Sequence, residues 1–324
     1  MKDLHRAQRV GITAIACALL MRLFTADIPE ILISKRNKSN TDTISTEQET
    51  GHNVRFSSSL DVFSPVFMES PAPSLPEVIE VPLPSFSGEE SVALYYAVNI
   101  QPDIPALLKT PLQWNLTGEE PRILILHTHT TESYSRRGEN YTESSAWRTL
   151  DESYNMIAIG DLVAQILGEN GISAVHDKSL HDYPSYNGSY IRARKTLRQL
   201  LDEYPGIRMV LDLHRDASGG EEGQMRTKAE VEGETSAQLM VVIGTNHKNY
   251  EENLSLGLKL HALLEQRSPG IMRPLQLRQQ RFNQDLNPGA LLIEIGAAGN
   301  SHKEAQLAAT QLAEAIISLA HGTQ

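Results

Sequence analysis

The sequence predicts an α/β fold, with a doubly wound, mainly parallel sheet flanked by helices and confined to residues 119–324. Two observations predict it. From residue 121 onward, short continuous apolar runs alternate with segments of helical period, the pattern of strands buried on both faces and joined by crossover helices. Eleven of the sixteen prolines lie in residues 1–121, so the first third suits a tether, and what remains suffices for one domain.

Composition narrows the partners. The 324 residues carry 29 Lys and Arg against 40 Asp and Glu, a formal charge of −11. This argues against nucleic acid, because phosphate binding needs a basic face. One Cys excludes a disulfide framework and a Cys-rich zinc module.

Residues 10–24 read VGITAIACALLMRLF, apolar except for Arg22, and follow Lys2, Arg6 and Arg9. Residues 1–27 are therefore expected to form a cytoplasmic N-terminus and a signal-anchor helix, with Arg22 snorkelling and the bulk of the chain outside the cell membrane. A cleaved signal is the second reading, although no small-x-small site follows closely; an amphipathic or core helix is the third. Cys17 is a small apolar residue within the run. Residues 28–118 hold a Ser/Thr/Asn/Gln-rich piece and then a Pro-rich one, as expected of an extracytoplasmic linker. Residues 91–112 are more apolar and could form a short arm packed on the domain.

The remainder, 119–324, opens with the apolar run RILILH at 122–127. A helix follows, with Thr149 as a possible N-cap and apolar residues from Met156 to Leu167 at helical spacing. Strand 172–176, helix 189–204 and strand 208–214 come next. They are followed by strand 237–244, helix 250–266, strands 271–277 and 290–296, and helix 302–320. Between them, 221–234 reads as a polar hairpin or lid loop.

Ligands of such sheets bind beyond the carboxyl ends of the strands. There the sequence places His127, His129 and Glu132 (HTHTTES), then Asp212, His214, Arg215 and Asp216 (DLHRD), and Glu294 within LLIEIG. Zinc catalysis wants three N/O ligands, an open position and a carboxylate to take a proton. His129-x-x-Glu132 with His214 supplies the ligands, and Glu294 remains as the base. His127 and His129 share a face of extended chain, so either could bind while the other supports. A single strand-end His is ordinarily structural, and a Glu in an apolar strand is ordinarily paired; the joint pattern favours a metal. Arg215 could steady an oxyanion or bind substrate.

The strings HTHTTESY, TLDESYN-M-IAIGD, HDYPSYNGSY, DLHRDA and NQDLNPGALLIEIG-AAGN resemble the stage II sporulation protein P family of membrane-anchored cell-wall hydrolases, over about residues 121–320. The resemblance implies a fold similar to the zinc-dependent N-acetylmuramoyl-L-alanine amidases. It implies His127 or His129 as first ligand, His214 as second His and Glu294 as the catalytic carboxylate. For the middle ligand the His-x-x-Glu spacing favours Glu132, while the resemblance points to the start of the next helix, where Asp151 or Glu152 stands and Asp151 is the rival. It further implies amidase and peptide cross-link endopeptidase activity on peptidoglycan during engulfment. Its implied partner is a lytic transglycosylase, stage II sporulation protein D. A zinc carboxypeptidase-type hydrolase fits His-x-x-Glu as well, and an inactive wall-binding scaffold is the non-enzyme alternative.

Overall fold

The computed structural model describes residues 78–80, 94–96, 98–112, 115–136, 139, 147–217, 219–220 and 223–321. The expected signal-anchor, residues 10–27, and most of the linker lie outside them. In chain order the elements are β1 (Val78–Glu80), β2 (Leu94–Tyr96), α1 (Ile104–Lys109), β3 (Gly118–Leu126), α2 (Met156–Glu169), β4 (Ile172–His176), α3 (Ser189–Glu203) and β5 (Met209–Asp216). There follow β6 (Gly219–Gly220), β7 (Gly223–Arg226), β8 (Ala229–Val231), β9 (Glu234–Ser236), β10 (Leu239–Gly244), α4 (Tyr250–Arg267), β11 (Leu275–Arg278), β12 (Ala290–Ala297) and α5 (His302–His321).

Seven strands form one sheet in the order β2-β11-β10-β12-β5-β3-β4. All neighbours are parallel except β10 and β12, so the sheet is mainly parallel with one reversal. The polar 221–234 stretch contributes β7, which pairs with β1 and β6, and the β8–β9 hairpin. Within the tract read as linker, β2 extends the sheet edge beside β11, and Leu107 and Leu108 of α1 pack against the main core. Lys259 Nζ holds α1 by donating to Leu107 O (2.7 Å) and Leu108 O (2.9 Å).

Helix α2 begins later than Thr149 would set it. Asn155 is the cap, its Oδ1 accepting from Ile157 N at 2.9 Å. The residues before it are held in a turn, where Asp151 Oδ1 accepts from Ser153 N.

Side-chain alternation decides where chemistry can sit. On β5, Met209, Leu211 and Leu213 enter the main core with α2, α4 and α5, whereas Val210 enters a smaller core with Ala193 and Leu197 of α3. The period of two therefore sends Asp212 and His214 to the α3 face. On β12, Leu291, Ile293 and Ile295 enter the main core and Leu292 does not, so Glu294 shares the face of His214. Strands β4 and β5 flank β3, reached through α2 on one face and α3 on the other. That makes the β3/β5 boundary a topological switch point, where such sheets open a crevice.

Candidate metal centre

Beyond β3 the chain turns back on itself through residues 127–133, fastened from outside. Thr131 donates from N and Oγ1 to Asp182 (3.1 and 2.7 Å), and Arg148 pairs with the same carboxylate. Glu132 N donates to His129 O at 3.1 Å, and Glu132 bridges to Arg148 across the turn. This geometry turns His129 and Glu132 towards β5.

There His129, Glu132 and His214, all buried, offer ligand atoms that lie within 4.8 Å of one another. His129 stacks on Tyr186 with ring centroids 4.6 Å apart, and its Nε2 lies 3.2 Å from Tyr186 Oη. Its Nδ1 is buried without a hydrogen-bond partner. The tautomer that donates from Nε2 to Tyr186 thus leaves a bare Nδ1 lone pair facing inward. His214 is arranged the same way. Its Nε2 lies 2.9 Å from Asp212 Oδ1, close but off the hydrogen-bond line, and its Nδ1 is 3.5 Å from Glu132 Oε2. Asp212 is fixed by Thr128, which donates from N (2.8 Å) and Oγ1 (2.6 Å).

The electrostatics follow from burial and pairing. Burial, aided by His214, pushes His129 down to about 4, with Glu132 opposing. Burial would raise the Glu132 carboxyl, but Arg215 and then His214 hold it well below the usual carboxylate range. Burial would likewise lower His214, yet Asp212 and Glu132 together hold it well above the ordinary imidazole value. The set is therefore a bare imidazole, an ionised carboxylate and an imidazolium braced by two carboxylates, whose proton a metal ion would displace. Two nitrogens and one oxygen in tetrahedral-scale proximity, with an inward-facing donor that nothing satisfies, fit a zinc ion.

Glu294 is the β12 register partner of His214. Its Oε2 is enclosed and without a hydrogen-bond partner, while part of the side chain remains exposed. Burial raises its carboxyl to about 8, with His214 opposing and Asp216 adding to the rise.

Three expectations need revision. His127 does not join the cluster. Its Nδ1 donates to Leu213 O (3.0 Å), its Nε2 meets His176 Nε2 (2.8 Å), and burial and His176 push it down to about 3. The physical reason is that the chain leaves the extended state after Leu126, so His127 and His129 no longer share a face. Arg215 does not reach outward for substrate. It is buried, donating from Nε to Ser133 O (3.1 Å) and from Nη2 to Trp147 O (2.9 Å). Its backbone N donates to Glu132 Oε2 at 3.2 Å, so it positions the ligand loop. Asp151 and Glu152 are exposed in the turn before α2 and stand outside the cluster.

Sequence reasoning assigned no role to Asp212, Thr128, Asp182, Arg148 or Tyr186. For Asp212 a signal existed, since its spacing of two from His214 on a strand puts both on one face. Asp182 and Arg148 act across long loops and leave no local trace.

The family described as Stage II sporulation protein P matches residues 25–317 of this chain. The Stage II sporulation protein P of Bacillus subtilis (strain 168) is 30% identical over 211 residues, covering 61% of this chain and 51% of that protein. The match thus spans about half the length of that curated relative. Among solved structures, the CwlD amidase from Clostridioides difficile in complex with the GerS lipoprotein is 15% identical, covering 63% of this chain and 100% of that one, with a TM-score of 0.39. The N-acetylmuramyl-L-alanine amidase Ami1 from Mycobacterium smegmatis is 15% identical, covering 65% and 100%, with a TM-score of 0.38. The N-acetylmuramoyl-L-alanine amidase AmiC2 of Nostoc punctiforme is 13% identical, covering 64% and 98%, with a TM-score of 0.36.

Proposed function

Because the chain belongs to the Stage II sporulation protein P family, we propose that it is a peptidoglycan hydrolase of sporulation that cleaves the amide between N-acetylmuramoyl and L-alanine. The observation that carries this reading is the convergence of His129, Glu132 and His214 at the β3/β5 switch point, with Glu294 on the adjoining strand. A zinc ion held by those three residues would supply Lewis-acid polarisation of the scissile carbonyl and acidify a water. The chain's own residues do the rest. Asp212 and Tyr186 hold the two imidazoles with their Nδ1 atoms inward. Arg215 and then His214 keep Glu132 ionised, and Arg148 helps to hold it in place. Glu294 takes the proton of the attacking water and returns it to the leaving amine; a carboxyl titrating near neutrality suits both halves of that task.

In the same proposal, residues 10–27 hold the chain in the cell membrane as a single pass and residues 28–77 give reach, so that the domain works in the extracytoplasmic septal space. Stage II sporulation protein D is the proposed partner, a transglycosylase cutting glycan that this chain strips of peptide. Cross-link endopeptidase activity is a further proposed capacity of the same site.

The test is mass spectrometry of peptidoglycan digested by the protein, with and without chelator and with Glu294→Gln. Free stem peptides beginning at L-alanine are expected from the metal-loaded wild type alone. Release of single terminal amino acids would indicate a carboxypeptidase. Undiminished phenotype and wall binding in Glu294→Gln, with no hydrolysis by any form, would indicate a scaffold.

A further inference from the structure

Six large apolar side chains are exposed among the described residues, and four of them fall within residues 180–191: Leu180 (37%), Tyr183 (50%), Tyr186 (55%) and Ile191 (76%). Their exposure is not the looseness of an unsupported loop. One guanidinium, that of Arg192, donates to three of its carbonyls: His181 O (2.6 Å), Asn187 O (3.1 Å) and Ser185 O. His181 Nε2 meets Asp177 Oδ2 at 2.8 Å, and Asp182 is fastened to Thr131 and Arg148. Three carbonyls around one side chain draw the loop into a compact knob beside Ile191. An anchored loop that keeps clustered rings in water has a use for them.

The knob adjoins the reaction centre. Tyr186 stacks on His129, with ring centroids 4.6 Å apart, and Arg148 reaches its ring at 4.8 Å. Tyr183, Leu180 and Ile191 are the other exposed apolar side chains of the same Arg192-fastened stretch. The chemistry of the knob is also selective. Residues 183–188 (YPSYNG) are all exposed and none is charged, while the neighbouring His181 and Asp182 are buried and paired. A stem peptide carries carboxylates and an amine and would look for charged partners. A pyranose ring offers an apolar C–H face to an aromatic ring and hydroxyl and acetamido groups to Ser, Asn and tyrosine hydroxyls.

We propose that the Leu180–Ile191 knob is a carbohydrate subsite, in which Tyr183 stacks on a neutral N-acetylated amino-sugar ring of the glycan strand next to the scissile bond. This rests on the reading of the chain as a peptidoglycan amidase, and it assigns glycan rather than peptide to this side of the cleft.

The experiment uses the full-length protein in the Glu294→Gln background, titrated calorimetrically with peptide-free glycan oligomers and, separately, with free stem peptide. Tyr183→Ala should weaken glycan binding roughly tenfold, the scale of an aromatic anchor. Tyr183→Trp should restore it, and stem-peptide binding should not change. Because Tyr183 is half exposed, Tyr183→Ala should keep the wild-type unfolding midpoint. Unchanged glycan affinity in Tyr183→Ala would overturn the proposal, as would a loss confined to stem peptide. A dimer or vesicle binding abolished by Tyr183→Ala, without change in glycan affinity, would overturn it in favour of a self-association or lipid surface. Failure of the amidase reading is recognised separately, as absence of hydrolysis by wild-type protein; failure of this proposal is hydrolysis with glycan binding indifferent to residue 183.

Discussion

Glu294→Gln should stabilise the metal-free protein near neutral pH while abolishing hydrolysis. Burial lifts the Glu294 carboxyl from 4.5 to about 8, so the folded chain holds this proton more tightly than the unfolded chain does. A raised pKa contributes stability that is complete below the unfolded value and is lost as the pH rises through the folded one. At pH 7.5 the unfolded chain has released the proton and most folded molecules have not. Three pH units at 1.36 kcal/mol each place the cost of keeping an ionisable group there at about 4 kcal/mol relative to pH 4.5. Part of the side chain remains exposed even though Oε2 is enclosed, and water screening brings this to about 1–2 kcal/mol. Gln has the same shape and no proton to lose. Urea unfolding in chelator should therefore give equal stabilities for wild type and variant near pH 4.5, with a gain for the variant growing towards pH 8. Two curves that stay parallel over this range would refute the reasoning. They would mean that Glu294 is ionised and solvated in the metal-free fold and that burial does not hold its proton there.

His261 on α4 is buried and held down at about 4 by desolvation. Its contribution is present above pH 6.5 and is lost as pH falls towards 4, by up to about 3 kcal/mol; His261→Leu should flatten that part of the stability profile, and an unchanged slope would count against it. Asp182→Asn leaves Arg148 and Thr131 without their carboxylate, so it should cost about 2–3 kcal/mol. It should also weaken zinc binding measured by calorimetry, and full zinc affinity would show that the ligand loop does not depend on this fastening. A 91–324 fragment should fold, whereas 119–324 loses buried Leu116 and, packed against the main core, Leu94, Val98, Ile100, Ile104, Leu107, Leu108 and Leu112. At about 1 kcal/mol for each half-buried side chain and about 2 kcal/mol for Leu116, the shorter fragment should be about 9 kcal/mol less stable; equal urea midpoints would show these contacts to be idle.

The sequence by itself determined what is written in local period and composition. Apolar runs and helical spacing placed the strands of the central sheet from β3 onward, because burial on both faces leaves a continuous signature; the edge strand β2, three residues within a Pro-rich tract, left none. The strand-end rule then picked out His129, Glu132, His214 and Glu294. What only the tertiary structure decided depends on backbone turns and on distant partners. That His129 and not His127 joins the cluster turns on where extended chain ends, at Leu126. The fate of Arg215 was set by carbonyls of Ser133 and Trp147, which reach it through space across more than sixty residues of sequence. The helix start moved from Thr149 to Asn155 because a side-chain turn competed for the preceding residues. Periodicity reports which way a side chain faces; it carries no record of which distant group will meet it there, and that meeting assigns the roles at this site.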